Sequence, residues 1–158
     1  MSAQRTANQA RLEGIRQFER AHLRAQLSRV RSLGSHRPQS LQDFSAAATH
    51  CGPPNQHYAG VQSVPVDKIR GSQGRSADFD RDFNPRHKRS ASRWIGVYAA
   101  WQEGIPMPPV ELVQIGDGYY VRDGHHRISV ARSLGMDYID AVVTVVETLA
   151  CPVDLPIN

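Results

Sequence analysis

The C-terminal half of the chain switches between two hydrophobic periods on either side of Asp123-Gly124. Aromatic and aliphatic side chains alternate over residues 118 to 122, as they do in a strand. Apolar side chains then follow helical spacing from Ile128 up to Gly135. The pattern therefore predicts a strand, a glycine turn and a helix that opens with the basic triplet His125-His126-Arg127.

The residues on either side of this unit carry the same two patterns. Short apolar runs bounded by glycine or proline indicate strands, and an apolar stripe at helical spacing indicates a helix. Such elements combine into an α+β domain. The predicted elements are a strand at Val64 to Ile69, a helix at His87 to Gln102, two strands at Val110 to Ile115 and Tyr119 to Arg122 joined as a hairpin by Gly116-Asp117-Gly118, and a buried strand at Tyr138 to Glu147.

The N-terminal third differs from the rest. Residues 3 to 33 contain no proline and carry apolar side chains at three- and four-residue steps, which predicts one or two amphipathic helices. Residues 34 to 60 are interrupted by glycine and proline and predict a linker with at most one short helix, around Leu41 to Ala48. We therefore expect an arm and linker at 1 to 60, a domain at 61 to 149 and a tail at 150 to 158. The apolar positions of the arm are Leu12, Ile15, Leu23, Leu27, Val30 and Leu33.

Composition excludes several classes of protein. The 158 residues are 40% hydrophobic and 22% charged, which is typical of a globular protein. No apolar run approaches the roughly 20 residues that span a bilayer, and the N-terminus lacks the apolar core of a signal peptide. We expect a cytoplasmic protein with no membrane contact, in which Cys51 and Cys151 are reduced thiols.

Charge is distributed unevenly along the chain. Residues 1 to 37 hold eight arginines and two glutamates, whereas the remainder holds 11 basic and 13 acidic residues. An arginine-rich helix can follow a nucleic-acid backbone, with Arg16, Arg20 and Arg24 as candidate contacts. It can equally dock on the acidic body or pair with a second copy in a homodimer.

The basic triplet at the predicted helix start suggests a bound anion. Free backbone N–H groups and the helix dipole attract anions to a helix N-terminus, and Gly124 permits close approach to the backbone. Cationic side chains oppose the dipole by about 0.3 to 1 kcal/mol each unless an anion joins them. The triplet therefore predicts a phosphate site. In the alternative interpretation Asp123 caps the helix, Gly124 eases the turn and the histidines are solvated.

A second segment has the composition of a phosphate-binding loop. In Gly71-Ser72-Gln73-Gly74-Arg75, Ser72 is a hydrogen-bond donor and Arg75 a cation, although the segment is also compatible with an ordinary surface turn. The basic start of the following helix, His87 to Arg89, faces the loop at Asp78 to Asp82 and is a candidate wall for a polyanionic ligand.

Three aspartates are candidate metal ligands. Asp78, Asp80 and Asp82 alternate with other residues, so in an extended segment their carboxylates share one face and can hold Mg²⁺. Alternatively they are solvated loop charges or pair with Arg81 and Arg86.

The body of the chain resembles the ParB/sulfiredoxin-like superfamily over roughly Val64 to Glu147. The resemblance implies a compact α+β domain with a small mixed sheet and flanking helices, here preceded by the arginine-rich arm. Within that superfamily the chain most resembles a bacterial group of ParB-like proteins. The segments that carry it are Val64-Pro65-Val66-Asp67-Lys68-Ile69, Gly71-Ser72-Gln73-Gly74-Arg75, Asp78-Phe79-Asp80-Arg81-Asp82-Phe83, Pro108-Pro109-Val110 and Val121-Arg122-Asp123-Gly124-His125-His126-Arg127.

The element shared by members of that superfamily is a nucleotide phosphate site. By the resemblance, the run Gly124, His125, His126 and Arg127 matches the motif that cradles phosphates, and Asp123 matches the acidic position of kinase-like members. Sulfiredoxins carry a cysteine directly before the motif histidine. Here His125 stands at that position, which argues against peroxiredoxin repair.

Three functional hypotheses follow. The first is an enzyme that hydrolyses a nucleoside triphosphate such as ATP or CTP or transfers its phosphate, with His126, Arg127 and Asp123 as catalytic candidates and Mg²⁺ as the expected cofactor. The second is a DNA-binding factor or metal-dependent nuclease. The third is a non-catalytic adaptor that a bound nucleotide regulates.

Overall fold

A computed structural model describes residues 2–32, 40–47 and 55–147. Its helices and strands are α1 (Ser2–Ser32), β1 (Gln42–Asp43), α2 (Phe44–Ala47), β2 (Asn55–Pro65), β3 (Ile69–Ser72), α3 (Ala91–Gln102), β4 (Val110–Ile115), β5 (Gly118–Asp123), α4 (His125–Ser133) and β6 (Tyr138–Glu147). Two 3₁₀ turns, Val66–Lys68 and Lys88–Ser90, precede β3 and α3.

The strands form one mixed sheet in the order β1-β3-β5-β4-β6-β2. β1 with β3, β3 with β5 and β4 with β6 are parallel pairs, whereas β4 with β5 and β2 with β6 are antiparallel. The predicted hairpin is confirmed, since Ile115 pairs with Gly118 across a two-residue turn in which Gly116 has a φ of 57°. The α+β class is confirmed as well.

Helix α4 lies between two hydrophobic clusters. Its residues Ile128 and Ala131 pack into the cluster on the sheet, and Val130 packs into a second cluster with Trp94 and Phe18 from α3 and α1. The one polar side chain buried here besides His125 is Ser129, whose hydroxyl accepts a 2.8 Å hydrogen bond from Trp94 Nε1. α4 is therefore apolar on both sides, and its first turn is held firmly in place.

Two predictions about the sheet are wrong in part. Val64 to Ile69 is not one strand, because β2 ends at Pro65 and the chain makes a 3₁₀ turn before β3 begins at Ile69. The predicted linker at 34 to 60 contributes residues to both edge strands of the sheet, to β1 and to the first half of β2. Gly71 makes the β1 contact possible, since a Cβ there would lie 2.4 Å from the Gln42 carbonyl oxygen. The predicted tail at 150 to 158 lies outside the described residues.

Helix α1 docks on α3 with the face that the leucine pattern did not select. Its small residues Ala21 and Ala25 are fully buried and Phe18 packs edge-on against Trp94 at 5.7 Å. The predicted apolar side chains Leu12, Ile15, Leu23, Leu27 and Val30 are instead exposed, and Leu33 lies outside the described residues. In the described parts of the chain, no helix has the length and apolar character needed to cross a membrane.

Candidate functional site

The turn between β5 and α4 requires glycine. Gly124 has a φ of 97°, and a Cβ on it would lie 2.5 Å from Val110 Cγ1 and 3.1 Å from Arg127 Nη2. Both the left-handed conformation and the lack of space exclude a larger residue without strain. The turn lets α4 start directly after β5, so that His125 and His126 lie in its first turn, as predicted.

His125 joins the two segments that sequence analysis singled out. Its Nε2 lies 2.7 Å from the Ser72 hydroxyl oxygen, and both residues are buried. The same hydroxyl oxygen accepts a 3.1 Å hydrogen bond from the Arg75 backbone N–H. The loop after β3 is therefore held against the start of α4.

His126 points from the same turn toward a cavity of about 550 Å³. Its ring packs edge-on against Phe79, with ring centroids 5.5 Å apart. Its Nε2 is buried and has no hydrogen-bond partner among the described residues. We call this space the basic cavity. It is lined by Arg75, Asp78, Phe79, His87, Arg89, Ser90, Ser92, Arg93 and His126.

The wall of the basic cavity carries an excess of positive charge. Three guanidinium groups, of Arg75, Arg89 and Arg93, face one carboxylate, that of Asp78. Arg89 Nη2 binds Asp78 Oδ1 at 3.0 Å, which leaves Arg75 and Arg93 without a carboxylate partner on this wall. His87 and Arg89, from the segment before α3, thus line the cavity.

Burial and this positive charge act on both histidines. Burial, then Arg75 and the neighbouring His126, lower the pKa of His125 from 6.5 to about 4. Burial, then Arg93 and Arg75, lower the pKa of His126 likewise to about 4. Both rings are therefore neutral at pH 7, and each has one N–H donor and one acceptor nitrogen. An anion in the cavity would counteract the effect of Arg93 and Arg75 on His126.

Arg127, predicted to grip a phosphate, has its guanidinium group engaged elsewhere. Nη1 donates to the carbonyl oxygens of Pro108 and Pro109, and Nη2 donates to Asp123 Oδ2 at 2.9 Å. Its side chain is 15% exposed and does not line the basic cavity. The bidentate phosphate contact predicted for Arg127 conflicts with this geometry. Arg127 and Asp123 instead fasten α4 to the proline-rich segment before β4.

The three aspartates do not share one face, so this prediction is wrong. The segment turns rather than extends, and Asp80 is buried, where its Oδ1 accepts hydrogen bonds from the backbone N–H groups of Asp82 and Asn84. Asp78 lines the basic cavity, whereas Asp82 is exposed beside Arg81. Within residues 2–32, 40–47 and 55–147, no cluster of three or more His, Cys, Asp or Glu side chains is placed to hold a metal ion.

The candidate nucleic-acid contacts lie along α1, away from the basic cavity. Arg16 pairs with Glu13 at 3.5 Å, and Arg24 Nε donates to Asn84 Oδ1 at 3.2 Å. Arg20 is exposed. The structure therefore does not bring these three arginines together with the phosphate-site candidates.

A larger cavity of about 1120 Å³ lies at the other end of α4. Its walls mix the cations Lys68 and Arg132 with the carboxylates of Asp67 and Asp137. Arg132 is structural here: Nη2 donates to the Val66 and Ile69 carbonyls, and the guanidinium stacks 4.9 Å from the Phe83 ring centre. Its pKa is lowered by burial but stays that of a cation. Size alone therefore does not identify the functional cavity.

Arg93 is a site residue that the predictions did not include among the phosphate ligands. It lies four residues after Arg89, a spacing that places both side chains on one side of a helix. That spacing was the available signal. Phe79 was likewise treated only as part of a motif, although its ring packs against both histidines.

Comparison with known proteins adds a distant structural likeness. No family model matches the chain, and no curated protein matches it. The chain is similar to the crystal structure of sulfiredoxin from Arabidopsis thaliana, with 18% sequence identity and a TM-score of 0.38 over 52% of this chain and 82% of that one. At that TM-score the likeness is too distant to transfer any property of sulfiredoxin to this chain.

Proposed function

We propose that the basic cavity binds the phosphate groups of a nucleotide. The observation that carries the proposal is the buried, unpartnered Nε2 of His126 in a cavity where Arg75 and Arg93 have no carboxylate partner on the wall. A buried polar atom without a partner costs about 1 to 3 kcal/mol, and a phosphate oxygen would remove that cost. Guanidinium groups also suit phosphate oxygens in geometry and charge.

The protonation states of His126, Arg75 and Arg93 determine what each side chain would do in the cavity. Neutral His126 donates from Nε2–H to a phosphate oxygen in one tautomer, or accepts a proton from a phosphate or hydroxyl group in the other. Arg75 and Arg93 neutralise the phosphate charge. Ser72 and His125 touch no ligand in this arrangement but fix the loop that carries Arg75.

Turnover of the nucleotide, by hydrolysis or phosphate transfer, is the further step of the proposal. Mg²⁺ would arrive with the triphosphate, and Asp78 is the carboxylate that lines the cavity. A general base works best with a pKa near the working pH, so the low pKa of His126 must rise on phosphate binding before the ring can take a proton. Binding without turnover would correspond to the adaptor hypothesis.

The test is a calorimetric and thermal-shift titration with nucleoside di- and triphosphates, with and without Mg²⁺. We expect binding by the wild type, a loss of at least about tenfold in Arg93→Ala, and no loss in Arg81→Ala, where an exposed arginine outside the cavity is removed. Phosphate release measured in the same samples separates turnover from binding alone. Equal affinity in wild type and Arg93→Ala, or the absence of any nucleotide binding, would contradict the proposal.

A further inference from the structure

Two serine hydroxyl groups line the basic cavity, and they differ in their hydrogen bonds. They belong to Ser90 and Ser92. Ser90 Oγ donates a 2.7 Å hydrogen bond to the His87 carbonyl oxygen and closes the turn before α3. Ser92 is exposed, and its hydroxyl has no hydrogen-bond partner in the described parts of the chain. Ser92 is therefore the hydroxyl of this wall that is both accessible and free to react.

Ser92 lies in the first turn of a helix that has no acidic group at its start. It is the second residue of α3, which begins at Ala91 and runs for 12 residues. The first turn contains no acidic residue, and the side chain of Ser90 at the N-cap makes no capping hydrogen bond. Backbone N–H groups at a helix start need acceptors, and the helix dipole favours negative charge there. A phosphate group on Ser92 would supply acceptor oxygens and negative charge together, so the phosphorylated product would be stabilised.

The surroundings of Ser92 suit a phosphoryl group. Arg93 follows it directly and Arg89 precedes it by three residues, and both line the same cavity. Arg75 and His126 contribute to the wall from the loop after β3 and from α4. A compact cavity of about 550 Å³ is roughly 10 Å across. A terminal phosphate held there by Arg75 and Arg93 is therefore close to the Ser92 hydroxyl.

We propose that Ser92 is the acceptor of the phosphoryl group, so that the chain phosphorylates itself on this residue. This step rests on the proposed function, because the donor is the nucleoside triphosphate bound in the basic cavity with Mg²⁺. The bond between Ser92 Oγ and the γ-phosphorus forms while the bond from that phosphorus to the β–γ bridging oxygen breaks. The nucleoside diphosphate leaves with the electron pair, and the hydroxyl proton passes to the neutral His126 ring and from there to water.

The phosphorylated residue would block the site that produces it. A phosphoserine carries a charge of about −1.5 to −2 at pH 7. On Ser92 this charge lies in the wall of the basic cavity beside Arg93, where it competes with a nucleotide for the guanidinium groups. We therefore expect one phosphoryl transfer per chain, followed by a loss of nucleotide affinity.

The first test is intact-mass spectrometry of the dephosphorylated full chain after incubation with Mg²⁺ and ATP, CTP, GTP or UTP. With at least one of them we expect a single addition of about 80 Da, the mass of a phosphoryl group, which peptide mapping should locate on Ser92. Ser92→Ala should stay unmodified. Ser90→Ala, which removes the other hydroxyl of the wall, should still gain the group. The added group should survive acid, as phosphoserine does and phosphohistidine does not.

The second test measures how negative charge at position 92 affects binding. Calorimetry with the imido analogues of the four triphosphates, in which nitrogen replaces the β–γ bridging oxygen, reports affinity without transfer. Ser92→Glu should bind at least about tenfold more weakly than the wild type, because its carboxylate pairs with guanidinium groups of the wall. The matched control is Ser63→Glu, which adds the same charge to an exposed serine of β2 outside the cavity. That control should bind as the wild type does.

Different results would overturn this proposal and the proposed function. A wild type that binds an imido analogue but keeps its unmodified mass with all four triphosphates would overturn the assignment of Ser92 alone. A phosphoryl group on another residue, or one that Ser92→Ala still gains, would do the same. Equal affinity in Ser92→Glu and the wild type would overturn the block by phosphorylated Ser92. A wild type that binds none of the nucleotides would overturn both proposals.

Discussion

The two sides of the first turn of α4 use positive charge in opposite ways. On one side the Arg127 guanidinium donates hydrogen bonds to two proline carbonyls and to Asp123, and its side chain is largely buried. On the other side His126 leaves Nε2 unpartnered beside Arg75 and Arg93 in the basic cavity. Neighbouring residues of one motif therefore differ: Arg127 holds the turn together, and His126 is the residue for which we propose contact with a ligand.

The difference shows that the hydrogen-bond partners of a basic side chain, rather than its residue type, decide its role. Arginine is the better phosphate ligand in general, but only with free donors. His126 is not a cation at pH 7, since burial and nearby guanidinium groups lower its pKa to about 4. Its unpartnered nitrogen next to an excess of positive charge is nevertheless the observation on which the proposed anion site depends.

The largest expected effect comes from Arg127→Ala. It leaves the carbonyls of Pro108 and Pro109 without their donor, so we expect the free energy of unfolding to fall by about 3 kcal/mol. At about 2 to 4 °C per kcal/mol, thermal denaturation should show a melting temperature lower by about 6 to 12 °C. Arg122→Ala, which removes an exposed arginine bound to Gln73, is the control and should change stability by less than about 0.5 kcal/mol. Wild-type stability in Arg127→Ala together with lost nucleotide binding would reverse the roles of the two sides.

The next effect is acid destabilisation through His125. Its pKa is about 4 in the folded chain and 6.5 for an ordinary histidine, so the fold favours the neutral ring. The resulting stability is complete above pH 6.5 and is lost as the pH falls from 6.5 toward 4, by on the order of 2 kcal/mol. Chemical denaturation at a series of pH values should show a flatter profile between these limits for His125→Gln than for the wild type. Identical slopes would mean that His125 is not buried in its neutral form.

A smaller effect is expected for His126→Gln. Glutamine can keep a hydrogen bond but not the position of Nε2, so nucleotide affinity measured by calorimetry should drop about tenfold, equivalent to about 1.4 kcal/mol. The free energy of unfolding should change little or rise, because the buried unpartnered nitrogen is removed. A large loss of stability with unchanged affinity would show that His126 is as structural as Arg127.

The smallest effect is expected for Arg89→Ala. Its ion pair with Asp78 is 76% exposed on the arginine side, and exposed pairs contribute about 0 to 1 kcal/mol. Stability should therefore stay within about 0.5 kcal/mol of the wild type, and nucleotide affinity should fall less than in Arg93→Ala. A larger loss of affinity in Arg89→Ala than in Arg93→Ala would contradict this order, because Arg89 already has a carboxylate partner.

Local patterns predicted most of the fold around the site. The glycine turn, the start of α4 and the hairpin depend on neighbouring residues, and the sequence indicated each of them. Ser72 and His125 were singled out in separate segments, but neither their proximity nor the hydrogen bond between them was predicted.

Long-range partners explain the predictions that are wrong. The carbonyls that occupy Arg127 lie 18 and 19 residues earlier in the chain, and no periodicity marks them. Asp80 is buried because its carboxylate accepts hydrogen bonds from two backbone N–H groups of its own turn. α1 packs on α3 through its small residues because Gly14 and its neighbours allow close approach to Tyr98. The spacing of the leucines does not indicate this face.

The most direct test of the central claim is an NMR titration of the histidine ring nitrogens with pyrophosphate. The chain has seven histidines, and His126→Gln assigns the relevant signal. We expect pyrophosphate to shift the His126 ring signals and to raise the pKa of His126 from about 4, because the anion offsets Arg93 and Arg75, while His125 changes less. Unchanged His126 signals at saturating pyrophosphate, or shifts confined to other histidines, would contradict the assignment of the basic cavity as the phosphate site.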